Sequence, residues 1–354
     1  MKKKIENTEI VKKDNSQNLF SDIISLIENA KQNIAQTINI SLSATYWNIG
    51  KRINDEILQN KRAEYGKQII QNLSEKLTET YGKGWSLKQL QHCLHFVETF
   101  PDLQIVSTLW RQLNWSHIKL IMYLKTDLER DFYSQMCRIE NWSVRTLQDK
   151  INSMLFDRTA ISKKPEELAK LELQKLKDED KFSLDLVFKN HYVLDFLNLK
   201  DTYQEKDLET AILKEIENFI IELGVGFTFV ARQKRMTIDN KDHKLDLLFY
   251  HRKLKRLVAI ELKIGKFEAA YKGQMELYLR WLEKYETEPD EEQPIGLILC
   301  AEGNTEQIEL LQLDKANIKV AEYITKYLPK KLLAEKLHVF TKTAKLLIEN
   351  REND

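Results

Sequence analysis

Between Val258 and Ile264 the chain reads Val-Ala-Ile-Glu-Leu-Lys-Ile, and this run restricts the fold more than any other segment. In a strand, successive side chains face opposite ways. Val258, Ile260, Leu262 and Ile264 therefore form one apolar face, and Ala259, Glu261 and Lys263 the other. A carboxylate and an ammonium inside an apolar strand are costly unless they are paired or bound to a cation. The strand-like segment upstream, HKLDLLFY, carries Asp246 opposite Leu245, Leu247 and Phe249. If the two strands are neighbours in a hairpin, Asp246 comes near Glu261 and Lys263. Two close carboxylates repel, and a hard divalent cation with oxygen ligands relieves that repulsion. An inert ion pair, Glu261–Lys263 or Asp246–Lys263, accounts for the same charges.

The surroundings of this run define the rest of the C-terminal half. FTFVARQKRMTI, HKLDLLFYHR and RLVAIELKI read as three successive strands with short polar connections. Leu208 to Leu223 reads as a helix closed by Gly224, and another helix runs from about Glu268 to Glu286. PIGLILCA and IKVAEYIT are further strands, Thr305 to Leu313 is a helix between them, and the segment from Pro329 is helical. The order αβββαβαβ predicts an α/β (α+β) arrangement, a mixed central sheet flanked by helices.

The N-terminal half has a different rhythm. LFSDIISLIENAKQNIAQTI places apolar residues three and four apart, as an amphipathic helix requires. Tyr81-Gly82-Lys83-Gly84 breaks a helix, and Ser86 with Gln89 reads as a capping box that opens the next. Asn114-Trp115-Ser116 and Asn141-Trp142-Ser143 each precede an apolar-periodic run, which predicts a serine N-cap with a tryptophan just outside it. The expected layout is a loose tail over 1–15, a helical domain over 16–160, a charged linker or helix over 161–182, and the sheet domain over 183–354.

Composition excludes several classes. The 354 residues carry a net charge of +1, so any polyanion surface must come from local clustering. Cys93, Cys137 and Cys300 lie far apart with no CxxC pair, which argues against a zinc ribbon or a disulfide framework. No stretch is apolar and long enough to span a bilayer, and a cytoplasmic protein with no membrane partner is the expectation. His92 and His95 share a helix face beside Cys93, but they lack the further ligands a metal site needs.

Two more features surround the charged strand. Gln274 and Tyr278 are one turn apart on the following helix, and Glu209 lies near the start of the preceding one. Here the chain resembles the YhcG-like family of PD-(D/E)xK nuclease-domain proteins, through LDLLFYHRKLKRLVAIELKIGKFEAAYKGQMELYL and DLETAILKEIENFIIELGVGFTFVARQKRM. The helical half resembles that family's N-terminal domain through YGKGWSLKQL, LNWSHIKLIMYL, RDFYSQM and NWSVRTLQDKI. The resemblance implies a restriction-endonuclease-like fold and Mg²⁺-dependent hydrolysis of DNA phosphodiesters, with Mn²⁺ as a substitute ion. It implies Asp246 and Glu261 as metal ligands, Lys263 as the catalytic lysine, Gln274 with Tyr278 as an ordering element, and Glu209 as a completing carboxylate. No proline precedes Asp246, where the family's motif has one.

Arg232, Lys234 and Arg235 on the first long strand, with Lys266 and Lys272 after the charged strand, are the expected phosphate contacts. A solvated basic rim explains the same residues. Two further readings stay open: a module that binds DNA or assembles without cutting, and a helical half that binds DNA through a helix-turn-helix-like unit turning at Gly82–Gly84, forms a homo-oligomer or recruits a protein partner.

Overall fold

The computed structural model describes residues 15–60, 63–102, 113–200, 202–303, 305–329, 331–335 and 337. Residues 1–14 of the expected tail, and most of the helix expected from Pro329, lie outside them. The chain divides into two compact units, Met1–Leu124 and Lys125–Asp354.

The regular elements among the described residues of the first unit are all helices, the α-helices being α1 (Asn15–Asn60), α2 (Ala63–Tyr81), α3 (Leu87–Thr99) and α4 (Trp115–Ile121). The break at Gly82–Gly84 separates α2 from α3, with Gly82 at φ 90°. Half of the expected capping box forms. Ser86 accepts from Gln89 N at 3.4 Å, while the Gln89 side chain turns to Cys93 Sγ and the Trp115 indole. Around Trp115 the predicted serine cap is corrected: Asn114, not Ser116, caps α4 and accepts from Ser116 N and His117 N. The asparagine carbonyl stands one residue before the first turn, where it reaches two orphan N–H groups together. His92 bonds the Tyr123 hydroxyl at 2.8 Å and His95 stacks on its ring. The core of this unit forms where α1 crosses α3. Trp47 and Ile53 are buried there, and a Cβ on Gly50 would lie 2.0 Å from Cys93 O. Only glycine permits the two backbones to come so close.

The second unit opens with α5 (Asp127–Glu140), α6 (Val144–Asn152), α7 (Leu155–Arg158) and α8 (Glu166–Glu179). Ser143 caps α6 as expected, with Trp142 buried just outside. The charged stretch after Lys163 is a packed helix: α8 buries Ala169, Leu173 and Leu176, and Arg138 of α5 donates to Leu176 O and pairs with Asp180. After α9 (Leu184–Val187) come β1 (His191–Val193), α10 (Glu205–Lys214) and α11 (Ile216–Leu223). The one helix expected over 208–223 is thus two, parted at Glu215. Then follow β2 (Phe227–Ile238), β3 (Lys241–His251), β4 (Arg256–Lys266), α12 (Ala270–Tyr285), β5 (Ile295–Glu302), α13 (Thr305–Leu310) and β6 (Ile318–Ile324).

The six strands form one mixed sheet in the order β1-β6-β5-β4-β3-β2. β2, β3 and β4 are antiparallel neighbours, while β4, β5, β6 and β1 run parallel. Leu208, Ile212, Phe219 and Leu223 of α10 and α11 cover one face with Leu247, Phe249, Val258, Ile260 and Leu262. Met275, Tyr278, Leu279 and Leu282 of α12 cover the other. Two face assignments are corrected. Leu245 packs with Leu248 and Ala259 against α12, not with Leu247 and Phe249, and Ile264 is exposed. Strict alternation fails at Asp246 and at the end of β4, where regular pairing stops. β1 was not foreseen because three residues are too short to show a period.

A buried network ties the start of this unit to the edge of the sheet. Arg158, 1% exposed, donates to Glu222 and to His191 O. Glu222 also accepts from Val193 N and pairs with the buried Lys189. Burial pushes the Lys189 ammonium down to about 7, with Glu222 opposing that shift. No helix among the described residues is long and apolar enough to cross a membrane.

At the α1–α3 crossing, Gly50→Ala should destabilise the chain by about 1–3 kcal/mol through overpacking. Denaturant unfolding followed by circular dichroism checks this, and an unchanged midpoint would contradict the close crossing.

Candidate active site

The site forms where the β3–β4 ladder ends. Backbone pairing runs from His251–Arg256 to Leu247–Ile260. At the next step, side chains take over from the backbone. Asp246 Oδ2 accepts from Leu262 N at 2.9 Å, and Glu261 Oε1 lies 3.4 Å from Asp246 N. β5 holds the other edge of β4, pairing Glu261 with Ile298 and Lys263 with Cys300. The two carboxylates expected to converge therefore do so, on adjacent strands of the same sheet.

Lys263 lies between two acids, 3.2 Å from Glu261 and 2.9 Å from Glu205 on α10. Its ammonium stands 5.3 Å from the centre of the Tyr271 ring, and its carbonyl accepts from the Tyr323 hydroxyl. Glu209, one turn along α10 from Glu205, reaches the site through Gln233. One amide nitrogen of Gln233 donates to Glu209 Oε2 at 3.0 Å and to Asp246 Oδ1 at 3.1 Å. Gln233 holds a φ of 44° inside β2, a region that costs a non-glycine residue free energy. Strain at a site where one side chain bridges two carboxylates marks a constrained position.

Gln274 and Tyr278 are joined as expected for one helical face. The Gln274 amide donates to the Tyr278 hydroxyl at 2.8 Å. Tyr278 is buried under the sheet and its hydroxyl reaches Lys244 O at 3.5 Å, two residues before Asp246. This pair bonds to itself and to the β3 backbone, not to the acidic pair.

The electrostatics follow from burial. Glu261 is 3% exposed, and burial first, then Asp246, push its carboxyl up to about 7. Burial also raises Asp246, against the opposing Leu262 hydrogen bond and Lys263. For Lys263, burial acts to lower the ammonium, but Glu261 and Glu205 outweigh it and hold the group protonated. Among the described residues, no three His, Cys, Asp or Glu side chains stand together as a metal-binding group. The acidic groups are instead interleaved with an amide and an ammonium.

The expected phosphate contacts differ in their surroundings. Arg232 is exposed on β2 beside Gln233. Lys234 pairs with Glu286, Arg235 with Asp242, Lys266 with Glu302, and Lys272 with Glu276. Gln233, Glu205 and Tyr271 were missed in the sequence. The Glu205–Glu209 spacing of one turn was a signal for the first helix, whereas nothing in the strand pattern singled out Gln233.

Comparison with known proteins agrees with this architecture. The model of the YhcG PDDEXK nuclease domain matches residues 185–338, and that of the DUF1016 N-terminal domain matches residues 22–158. The chain is 32% identical over 352 residues to the Escherichia coli (strain K12) protein named "Putative nuclease YhcG", covering 91% of this chain and 93% of that one. A repair endonuclease from Pyrococcus abyssi is 23% identical, with a TM-score of 0.25 over 37% of this chain and 50% of its own. An EndoMS structure with double-stranded DNA is 20% identical, with the same score, over 37% of this chain and 48% of its own. At such scores these two likenesses add nothing to the assignment.

The raised Glu261 makes stability depend on pH in a stated direction. Its folded value lies above its unfolded one, so its contribution is fully present below about 4.5 and is lost as pH rises through about 7. In chelator, Glu261→Gln should therefore gain on the wild type between pH 5 and pH 8, by on the order of 2–4 °C in Tm for each kcal/mol relieved. Thermal unfolding at the two pH values checks this, and a constant difference would mean that the carboxyl titrates normally.

Proposed function

This chain belongs to the YhcG family of proteins with a PDDEXK nuclease domain, and on that premise we propose that it hydrolyses DNA phosphodiester bonds with a divalent cation, Mg²⁺ or in its place Mn²⁺. The observation that carries the reading is the meeting of Asp246 and Glu261 at the end of the β3–β4 ladder, with the Lys263 ammonium 3.2 Å from Glu261. Their carboxylates offer hard oxygen donors, and burial first, with Asp246 second, raises Glu261, a cost that a bound cation would offset. This chemistry fits Mg²⁺, which is held by one or two carboxylates and keeps several waters. Asp246 and Glu261 are the ligands in this reading. Glu209 joins through Gln233, whose amide fixes it beside Asp246. When bound, such an ion lowers the pKa of a coordinated water and offsets charge on the phosphate.

The remaining roles belong to the chain's own groups. Lys263 is held protonated by Glu261 and Glu205, so it serves to stabilise negative charge growing on the phosphate and not to abstract a proton. Gln274 and Tyr278 steady the β3 backbone at Lys244, just ahead of Asp246. Arg232 is the leading phosphate contact. Arg235 and Lys266 contribute once the phosphate backbone displaces their carboxylate partners, because exposed ion pairs hold weakly, and the half-buried Lys234 and Lys272 add their charge from behind them.

Purified protein incubated with Mg²⁺ or Mn²⁺ and linear, nicked, branched and single-stranded DNA tests the assignment. Asp246→Asn and Lys263→Ala should each lower the cleavage rate by about 10²–10³-fold. Calorimetric Mn²⁺ binding should be lost in Asp246→Asn and kept in Lys263→Ala. Cleavage by Asp246→Asn at the wild-type rate would refute the ligand assignment. A wild type that binds every DNA form without metal and cuts none would point instead to a binding module.

A further inference from the structure

Helix α1 has two unlike halves. Its second half is anchored, with Ser43, Trp47 and Ile53 buried. Its first half presents nine large apolar side chains between Leu19 and Leu42, each 44% to 68% exposed. Together they expose the equivalent of about five whole side chains. Five of them, Phe20, Ile24, Ile27, Ile34 and Ile38, follow one helix face, and a contiguous apolar stripe of that length marks an interaction face.

The spacing identifies the partner. Phe20, Ile27 and Ile34 recur every seven residues, and Ile24, Lys31 and Ile38 recur every seven, four positions later. This alternation of four and three is the seam of a left-handed coiled coil. We propose that residues 19–42 of α1 pair with the same segment of a second copy of this chain as a two-stranded coiled coil.

Three observations favour a second copy over another occupant. The seam is self-complementary: Phe20, Ile24, Ile27, Ile34 and Ile38 are each 44% to 67% exposed, and an equally apolar helix is what covers them. The segment's charges are few, and Glu28 and Lys31 pair with each other at 2.8 Å on the same helix. Lys31 is therefore the one seam position at which self-association meets like charge, and a strongly charged partner finds little to match. Ser41 ends the apolar run, and Lys31 is the one charged position within it, the kind of polar insertion that sets register and the number of strands. From a two-helix seam its ammonium still reaches water along its flexible stem, whereas a third helix would enclose it.

Sedimentation of the full-length chain at micromolar concentration is the test. The wild type should sediment at twice the monomer mass. The double variant Ile27→Asp, Ile34→Asp should be monomeric, with circular dichroism still helical because the changes lie outside the buried core. Lys31→Ile should tighten self-association by about tenfold or more by completing the apolar seam. A wild type that stays monomeric overturns the proposal. So does a dimer that the double variant leaves intact, or one that Lys31→Ile weakens.

Discussion

Everything distinctive in the second unit turns on one electrostatic constraint: Asp246 and Glu261 are brought face to face where backbone pairing between β3 and β4 gives out. In an uninterrupted ladder each N–H would find a carbonyl. Here Leu262 N finds the Asp246 carboxylate instead, so the carboxylate stands in for a lost ladder partner. That substitution keeps a buried acid solvated by the fold itself. It also explains why the neighbouring residues are what they are. Lys263, Gln233 and Leu262 N all direct donors at the acidic pair or its companions Glu205 and Glu209.

The rest of the second unit holds this arrangement still. α10 brings both acids of its outer turn to the sheet, and its capping box, built by Gln204 and Asp207, fixes where that helix begins. α12 closes the opposite face with a Met, Tyr and Leu stripe. At the far edge, Arg158, Glu222 and Lys189 form a buried polar knot. Removing one partner of such a group leaves an uncompensated charge, which is more costly than never having buried the group. The knot therefore locks the segment before β1 to the sheet, with the pairing of β1 to β6 as its backbone counterpart.

Much of this was legible in the sequence, and the parts that were not share a cause. The Val258–Lys263 alternation placed Glu261 and Lys263 on one strand face, and the hairpin spacing brought Asp246 to them. Periodicity reads regular structure, so it failed where regularity stops. Leu245 changes face beside Asp246, Ile264 emerges at the end of β4, and Gln233 adopts a left-handed backbone inside a strand. Asn114 took the cap assigned to Ser116 because local hydrogen-bond geometry, not residue preference, decides between two good capping residues. β1 depends wholly on a parallel partner far along the chain, and a three-residue run carries no trace of that. The exposed face of α1 was visible as an amphipathic pattern, but only the fold shows that the described residues of its unit leave it bare.

The Gln233 bridge has an effect that reaches past its two hydrogen bonds. A lysine in its place would hold Glu209 and Asp246 together by cancelling their charge. The amide is neutral, so it sets their spacing and leaves their charge intact. In the reading proposed above, that retained charge on Glu209 and Asp246 is left for a divalent cation to neutralise.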